Sequence, residues 1–231
     1  MVEPYEQSPE ESALARMAPV ISHEIRNPLA VLGNSAYFIK TKLAGQSGLD
    51  PKVAKHLGII ESEIRRANET LGEILAFARM REPACSPQRF NALVEATLKT
   101  LDLPAPLLLK KDLCAQDPSV SADPELLGQA LRHVLRNGVE SLVNEAGESP
   151  SLAVRTSIEA GSARLEVSDN GPGMTEDALA NLFVPFHTGK PRGIGLGLAF
   201  ARKVLVKHRG KIEVRNTPPK GCTFTLSLPL A

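Results

Sequence analysis

The chain has 231 residues, 42% of them hydrophobic, enough to bury the cores of two modest domains or one large one. Lys plus Arg number 27 against 26 Asp plus Glu, aromatics are 4% and Trp is missing. Neither a basic field for nucleic acid or anionic membrane nor a stacking platform for single strands is therefore expected. Three scattered cysteines (Cys85, Cys114, Cys222) outside any Cys-x-x-Cys spacing argue against a disulfide framework or zinc site. With no apolar run near the roughly 18–20 residues of a membrane span and an acidic N-terminus, a cytoplasmic location is expected, and any sensor or membrane module lies elsewhere.

From Leu14 to Leu43, Ala18, Ile21, Ile25, Leu29, Leu32, Ala36, Ile39 and Leu43 recur at the spacing of an amphipathic helix. Val53, Leu57, Ile60, Ile64, Ala67, Leu71, Ile74 and Ala78 form a heptad seam on a second. Gly45-Gln46-Ser47-Gly48-Leu49-Asp50-Pro51 breaks the two apart, with Asp50 as N-cap and Pro51 at the first helical position. Two antiparallel helices cannot cover a heptad stripe on each, so a homodimeric four-helix bundle is expected. Glu82-Pro83-Ala84-Cys85-Ser86-Pro87 then marks a boundary between a domain over about 10–82 and another over about 88–231.

The second domain opens with a helical stretch over Ala92–Leu101, a strand at Leu107–Leu109 and a helix from Pro124 to about Val143 capped by Asp123. Strands follow at Ser151–Ile158 and Ala163–Val167, joined around Gly161. A helix at Glu176–Leu182, another at Leu196–Lys207, and strands at Lys211–Arg215 and Thr223–Leu228 complete the domain. Without a regular βαβ period these elements read as an α+β sandwich of one sheet and one helical layer.

Three clusters carry chemistry. In the register that puts Ile21 and Ile25 in the seam, His23 points to solvent, where an imidazole can meet an incoming phosphoryl group. Glu24 can orient its ring, Asn27 lies one turn on, and Pro28 removes a helical hydrogen bond and loosens the helix after the histidine. A lone exposed histidine would be an ordinary surface residue; it is the whole His-Glu-x-x-Asn-Pro string that argues for more. Asp169-Asn170-Gly171-Pro172-Gly173 follows a strand as a tight turn whose carboxylate can accept from an exocyclic amine, although by itself it reads more readily as a plain turn. Gly193-Ile194-Gly195-Leu196-Gly197-Leu198 opens a helix, where backbone N–H groups can receive phosphates. No Gly-Lys-Ser/Thr follows, so it is not a P-loop.

In this order, and over nearly the whole chain, these clusters resemble the sensor histidine kinases of two-component signalling. The resemblance implies a phosphotransfer hairpin followed by a Bergerat-type ATP-binding fold. His23 would be phosphorylated from Mg²⁺-ATP, Glu24 would assist, and Asn27 would position water when a partner response regulator is dephosphorylated. His133-Val134-Leu135-Arg136-Asn137-Gly138-Val139-Glu140 is similar to the family's N box, which implies that Asn137 coordinates Mg²⁺. Asp169, Gly171 and Gly173 map onto the adenine-binding G1 box. Phe183 and Phe186 resemble the F box of the ATP lid, with Thr188 and Lys190 near the phosphates, and Gly193, Gly195, Gly197 and Leu198 map onto the G2 box. For the two phenylalanines, ordinary core packing is the plainer alternative. The phosphoryl group would pass to an aspartate of a separate response regulator, since nothing receiver-like remains in the chain.

Two departures stand in the N box: His133 where the family usually has asparagine, and Gly138 where it has alanine, a change that costs a helix about 1 kcal/mol. They keep two other readings open: a gyrase- or chaperone-like ATPase, whose glutamate four residues before the asparagine is here His133, and a scaffold that has lost nucleotide binding.

Overall fold

Helix α1 (Pro9–Ala44) and helix α2 (Pro51–Ala78) open the chain in the computed structural model, which describes residues 9–44, 50–145, 149–190 and 193–231. Asp50 caps α2 as the sequence requires: its carboxylate accepts from the Lys52 N–H at 2.8 Å, and Pro51 occupies the first turn. The breaker residues 45–49 lie outside the described residues. Helix α1 runs on through Pro19 and Pro28, so the missing N–H at Pro28 does not end it.

Within the hairpin the expected stripes divide. Ala18 and Ala36 of α1, and Leu57, Leu71 and Ala78 of α2, are buried. Ile21, Ile25, Leu32 and Ile39 of α1, and Val53 and Ile60 of α2, remain 39–55% exposed. Each helix thus carries more apolar surface than one neighbour covers, for the geometric reason that a heptad stripe wraps wider than a single helix contact.

The chain divides into two compact units, the second running from Glu82 to Ala231. Strand β1 (Ser86–Arg89) and β3 (Ser119–Ala122) form a two-stranded antiparallel ribbon that flanks α3 (Phe90–Leu98). Strands β2 (Leu108–Asp112), β4 (Ser151–Glu159), β5 (Ser162–Asp169), β6 (Lys211–Asn216) and β7 (Cys222–Pro229) form one sheet in the order β2-β4-β5-β7-β6. Only the β2–β4 pair is parallel. Helices α4 (Pro124–Glu145) and α6 (Gly197–Lys207) pack on the sheet, giving the expected sandwich, while α5 (Glu176–Ala180) is a single short turn. The ribbon was not expected: Pro87 and the short polar β3 lack strand periodicity, and their pairing is long-range.

Periodicity explains the core. Leu127, Leu131, Val134, Leu135 and Leu142 share one face of α4 and are buried, as are the alternating Ala163, Leu165 and Val167 of β5 and Leu152 and Val154 of β4, on which α4 packs. The β4–β5 loop is Ala160-Gly161, both at positive φ (48° and 75°), the conformation that favours a two-residue hairpin. That turn sets the register in which Asp169, at the end of β5, pairs with Leu152. Asp123 caps α4 as expected: its Oδ1 accepts from the Glu125 and Leu126 N–H groups, both at 3.1 Å.

Candidate functional site: a phosphoacceptor helix and a nucleotide pocket

On α1, His23, Glu24 and Asn27 are all exposed, the orientation read from the heptad. His23 Nδ1 and Glu24 Oε1 stand 3.9 Å apart with both side chains 75% exposed, beyond hydrogen-bond length. Glu24 therefore faces the ring nitrogen without fixing its tautomer.

In the second unit, β5 ends on Asp169, 5% exposed, just ahead of the Gly171–Gly173 turn. Its Oδ1 accepts from the Gly171 N–H at 2.9 Å and the Cys222 N–H at 3.4 Å. Burial pushes its carboxyl above the usual range, against the pull of the Gly171, Cys222 and Ser141 hydrogen bonds. A buried carboxylate with acceptor capacity to spare is suited to a neutral N–H donor such as an aromatic amine. Gly221, at φ 105°, lies so close that a Cβ there would sit 1.9 Å from the Asp169 carbonyl oxygen, so only glycine lets β7 approach the end of β5. Asn216 braces the G1 turn: its Oδ1 accepts from Met174 N–H at 2.9 Å and its Nδ2 donates to Met174 O at 2.8 Å. Cys222 is buried beside them, and burial and the Asp169 charge push its thiol up to about 11.

Helix α4 carries Asn137. Its Oδ1 accepts from Lys190 Nζ at 2.8 Å, and the same ammonium donates to Glu140 Oε2 at 2.6 Å. Glu140 Oε1 accepts from Arg136 Nε at 2.7 Å. Burial raises the Glu140 pKa, but Lys190 and Arg136 outweigh it and hold the carboxyl below its ordinary value.

The lid residues meet the glycine loop through the backbone. Phe186 N–H donates to Gly195 O at 3.1 Å, and a Cβ on Gly195 (φ 73°) would sit 2.4 Å from His187 O. Thr188 Oγ1 accepts from Lys190 N–H at 3.1 Å and lies beside Gly193. Phe186 is 50% exposed, and Phe183 is half-buried under the Arg202 guanidinium, 5.8 Å from the ring centroid, so neither is an ordinary core residue. Gly197 and Leu198 begin α6, whose N-cap Leu196 supplies no side-chain hydrogen bond, leaving first-turn N–H groups for another acceptor.

Both departures in the N box find their reasons here. The His133 ring packs edge-on against Phe200, centroids 5.4 Å apart, and fills the space a Cβ on Gly197 would need, 2.7 Å from Nδ1. Burial, with help from Arg136 and Arg132 against Glu140, lowers its pKa to about 4. Such an imidazole is a weak base at neutral pH. Gly138 faces the sheet, where a Cβ would meet Leu152 Cδ1 at 2.8 Å. The glycine therefore tightens the contact between helix and sheet, in place of the slack wall that propensity implies.

The structure thus brings Asn137, Asp169, Gly171, Gly173, Thr188, Lys190, Gly193, Gly195, Gly197 and Leu198 into one unit, with His23, Glu24 and Asn27 on the hairpin. Sequence reasoning missed Glu140, Ser141, Asn216, Gly221 and Cys222. Of these, Glu140, the last residue of the N-box string, and Gly221, a glycine immediately before a strand, left a sequence signal.

Comparison with known proteins agrees with this geometry. Residues 13–83 match the His Kinase A (phospho-acceptor) domain, and residues 122–231 match the family described as histidine kinase-, DNA gyrase B-, and HSP90-like ATPase. The signal transduction histidine-protein kinase AtoS of Escherichia coli K12 is 30% identical over 95% of this chain and 35% of its own length. The sensor histidine kinase ZraS of the same organism is 31% identical over 94% of this chain and 46% of its own. The chain thus spans less than half the length of either relative. Among solved structures, full-length ShkA in complex with AMPPNP superposes with a TM-score of 0.77 at 22% identity, over 94% of this chain and 46% of that one, a likeness of fold. Histidine kinase ThkA in complex with the response regulator TrrA gives 0.66 at 25% identity, over 95% of this chain and 63% of that one. With both domains matched in the order its motifs require, the chain carries a sensor histidine kinase catalytic core.

Proposed function

We propose that the chain is an ATP-dependent protein-histidine kinase: residues 10–82 form the dimerisation and phosphotransfer domain and residues 88–231 bind ATP. The observation that carries this reading is the exposed His23-Glu24-x-x-Asn27-Pro28 face on one unit together with the buried Asp169 carboxylate, Asn137 and the Gly193–Gly197 loop on the other. Asp169 receives the adenine amine, the first turn of α6 and the Gly193–Gly197 loop hold phosphate oxygens, and Thr188 and Lys190 of the lid close over them. The lone pair of an imidazole nitrogen of His23 attacks the γ-phosphorus, the bond to the β-bridging oxygen breaks, and ADP carries away the electron pair. Glu24 stands 3.9 Å from Nδ1, so its carboxylate stabilises the charge that develops on the imidazole when Nε2 attacks. The oxygens of Asn137 and Glu140 already share one cation, the Lys190 ammonium, so they fit a magnesium ion, which when bound neutralises phosphate charge.

Phospho-His23 then donates to the aspartate of a response-regulator receiver domain, and Asn27 places water for the reverse dephosphorylation. Incubation with Mg²⁺ and γ-labelled ATP tests the reading. Acid-labile, alkali-stable label is expected on the wild type and not on His23→Gln. Asn27→Ala is expected to keep its label while losing regulator dephosphorylation. Steady ATP turnover unaffected by His23→Gln would instead mark a gyrase-like ATPase.

A further inference from the structure

Three charged groups and one amide meet beside α4. Asn137 and Glu140 are three residues apart on the helix, so amide and carboxylate point from one face. Both oxygens close on one ammonium, at 2.8 and 2.6 Å, while the remaining Glu140 oxygen is held by Arg136. The Lys190 and Glu140 side chains are 38% and 35% exposed, so the pair is open to exchange with a solvated ion. A carboxylate at the rim of a triphosphate pocket needs an explanation, because by Coulomb's law it repels the ligand unless a cation stands between them. Lys190 is one cation that can stand there. Hard oxygen donors, one of them anionic and held in place by Arg136, with phosphates to complete the shell, are what magnesium takes.

We propose that Glu140 is a second protein oxygen at the divalent-cation position beside Asn137, and that Lys190 occupies this position until the metal arrives with its nucleotide. The proposal rests on the nucleotide-binding reading above. With Asn137 and Glu140 holding a metal, Lys190 would be released from them and free to swing to the phosphates. Without metal, a nucleotide must either leave Lys190 on Glu140 or expose its own charge to the carboxylate. The pocket therefore selects the metal complex over free nucleotide.

Calorimetric titration of the whole chain with the non-hydrolysable analogue AMPPNP, in Mg²⁺ and again in EDTA, measures that selection. Mn²⁺ electron paramagnetic resonance reads metal affinity in the ternary complex directly. Glu140→Gln is expected to shrink the ratio of metal-free to metal-bound Kd by roughly tenfold and to weaken Mn²⁺ by a similar factor, about 1.4 kcal/mol. Lys190→Met is expected to leave Mn²⁺ bound as tightly or more tightly, and Glu140→Asp to retain most of the selection. If Glu140 only tethers the lid, Glu140→Gln and Lys190→Met will shift Mn²⁺ affinity in the same direction, and the proposal is overturned. An unchanged ratio in a folded Glu140→Gln overturns it as well. A wild type that binds no AMPPNP even with Mg²⁺ overturns the nucleotide reading and this inference together.

Discussion

His133 shows how one substitution is resolved by its surroundings. In sequence it stands where an ATPase would keep its catalytic glutamate; in the fold its ring is packed between Phe200 and Gly197, with a pKa of about 4. An unfolded histidine takes up a proton near pH 6.5, so its folded-state contribution is complete above that value and is lost as pH falls toward 4, by at most roughly 3 kcal/mol. Thermal melts of wild type and His133→Asn across this window should therefore differ in slope. The wild-type Tm falls more steeply with acid, and parallel curves would refute the assignment. The motif residues themselves were legible because each is a polar or glycine position with a chemical reason to be there. Cys222 and Ser141 were not, because what they contribute is proximity to Asp169 from distant segments.

At the scale of elements, the contact between α4 and the sheet decides what Gly138 means. Alanine would add about 1 kcal/mol of helix propensity. Its Cβ would press into Leu152, which is fully buried in the core, and overpacking costs about 1–3 kcal/mol. Gly138→Ala is thus expected to lower stability by about 1 kcal/mol, and Leu152→Val alone by a similar amount through lost packing. The double variant is expected to recover about 1 kcal/mol relative to the sum, since valine withdraws the clashing methyl. Urea unfolding of all four chains measures this coupling, and simple additivity would mean that the close contact is not what holds the glycine. Most elements were readable from period and punctuation: the Asp50 and Asp123 caps, the Gly161 hairpin and the 3.6-residue period of α4 are local signals. The β1–β3 ribbon was not, because its four-residue strands are stabilised by pairing across about thirty residues of chain and carry no alternation of their own.

At the scale of the whole molecule, the hairpin leaves Ile21, Ile25, Leu32 and Ile39 exposed on one helix and Val53 and Ile60 on the other, the surface a second copy would cover. On the proposed homodimer, wild type is expected to scatter as a dimer and Leu32→Glu with Ile39→Glu as a monomer, while AMPPNP binding by the second unit survives. A double variant that stays dimeric would place the interface elsewhere. Composition, periodicity and motif order determined by themselves that the chain has a helical hairpin followed by an α+β domain, and which family it resembles, because caps, seams and glycine turns are encoded within a few residues of where they act. Only the tertiary structure decided which half of each heptad stripe the hairpin buries, why Gly138 and His133 fit, and that Glu140 and Lys190 meet at Asn137. Those outcomes depend on atoms brought within a few ångströms from positions roughly fifteen to seventy residues apart, and local sequence carries no record of such approaches.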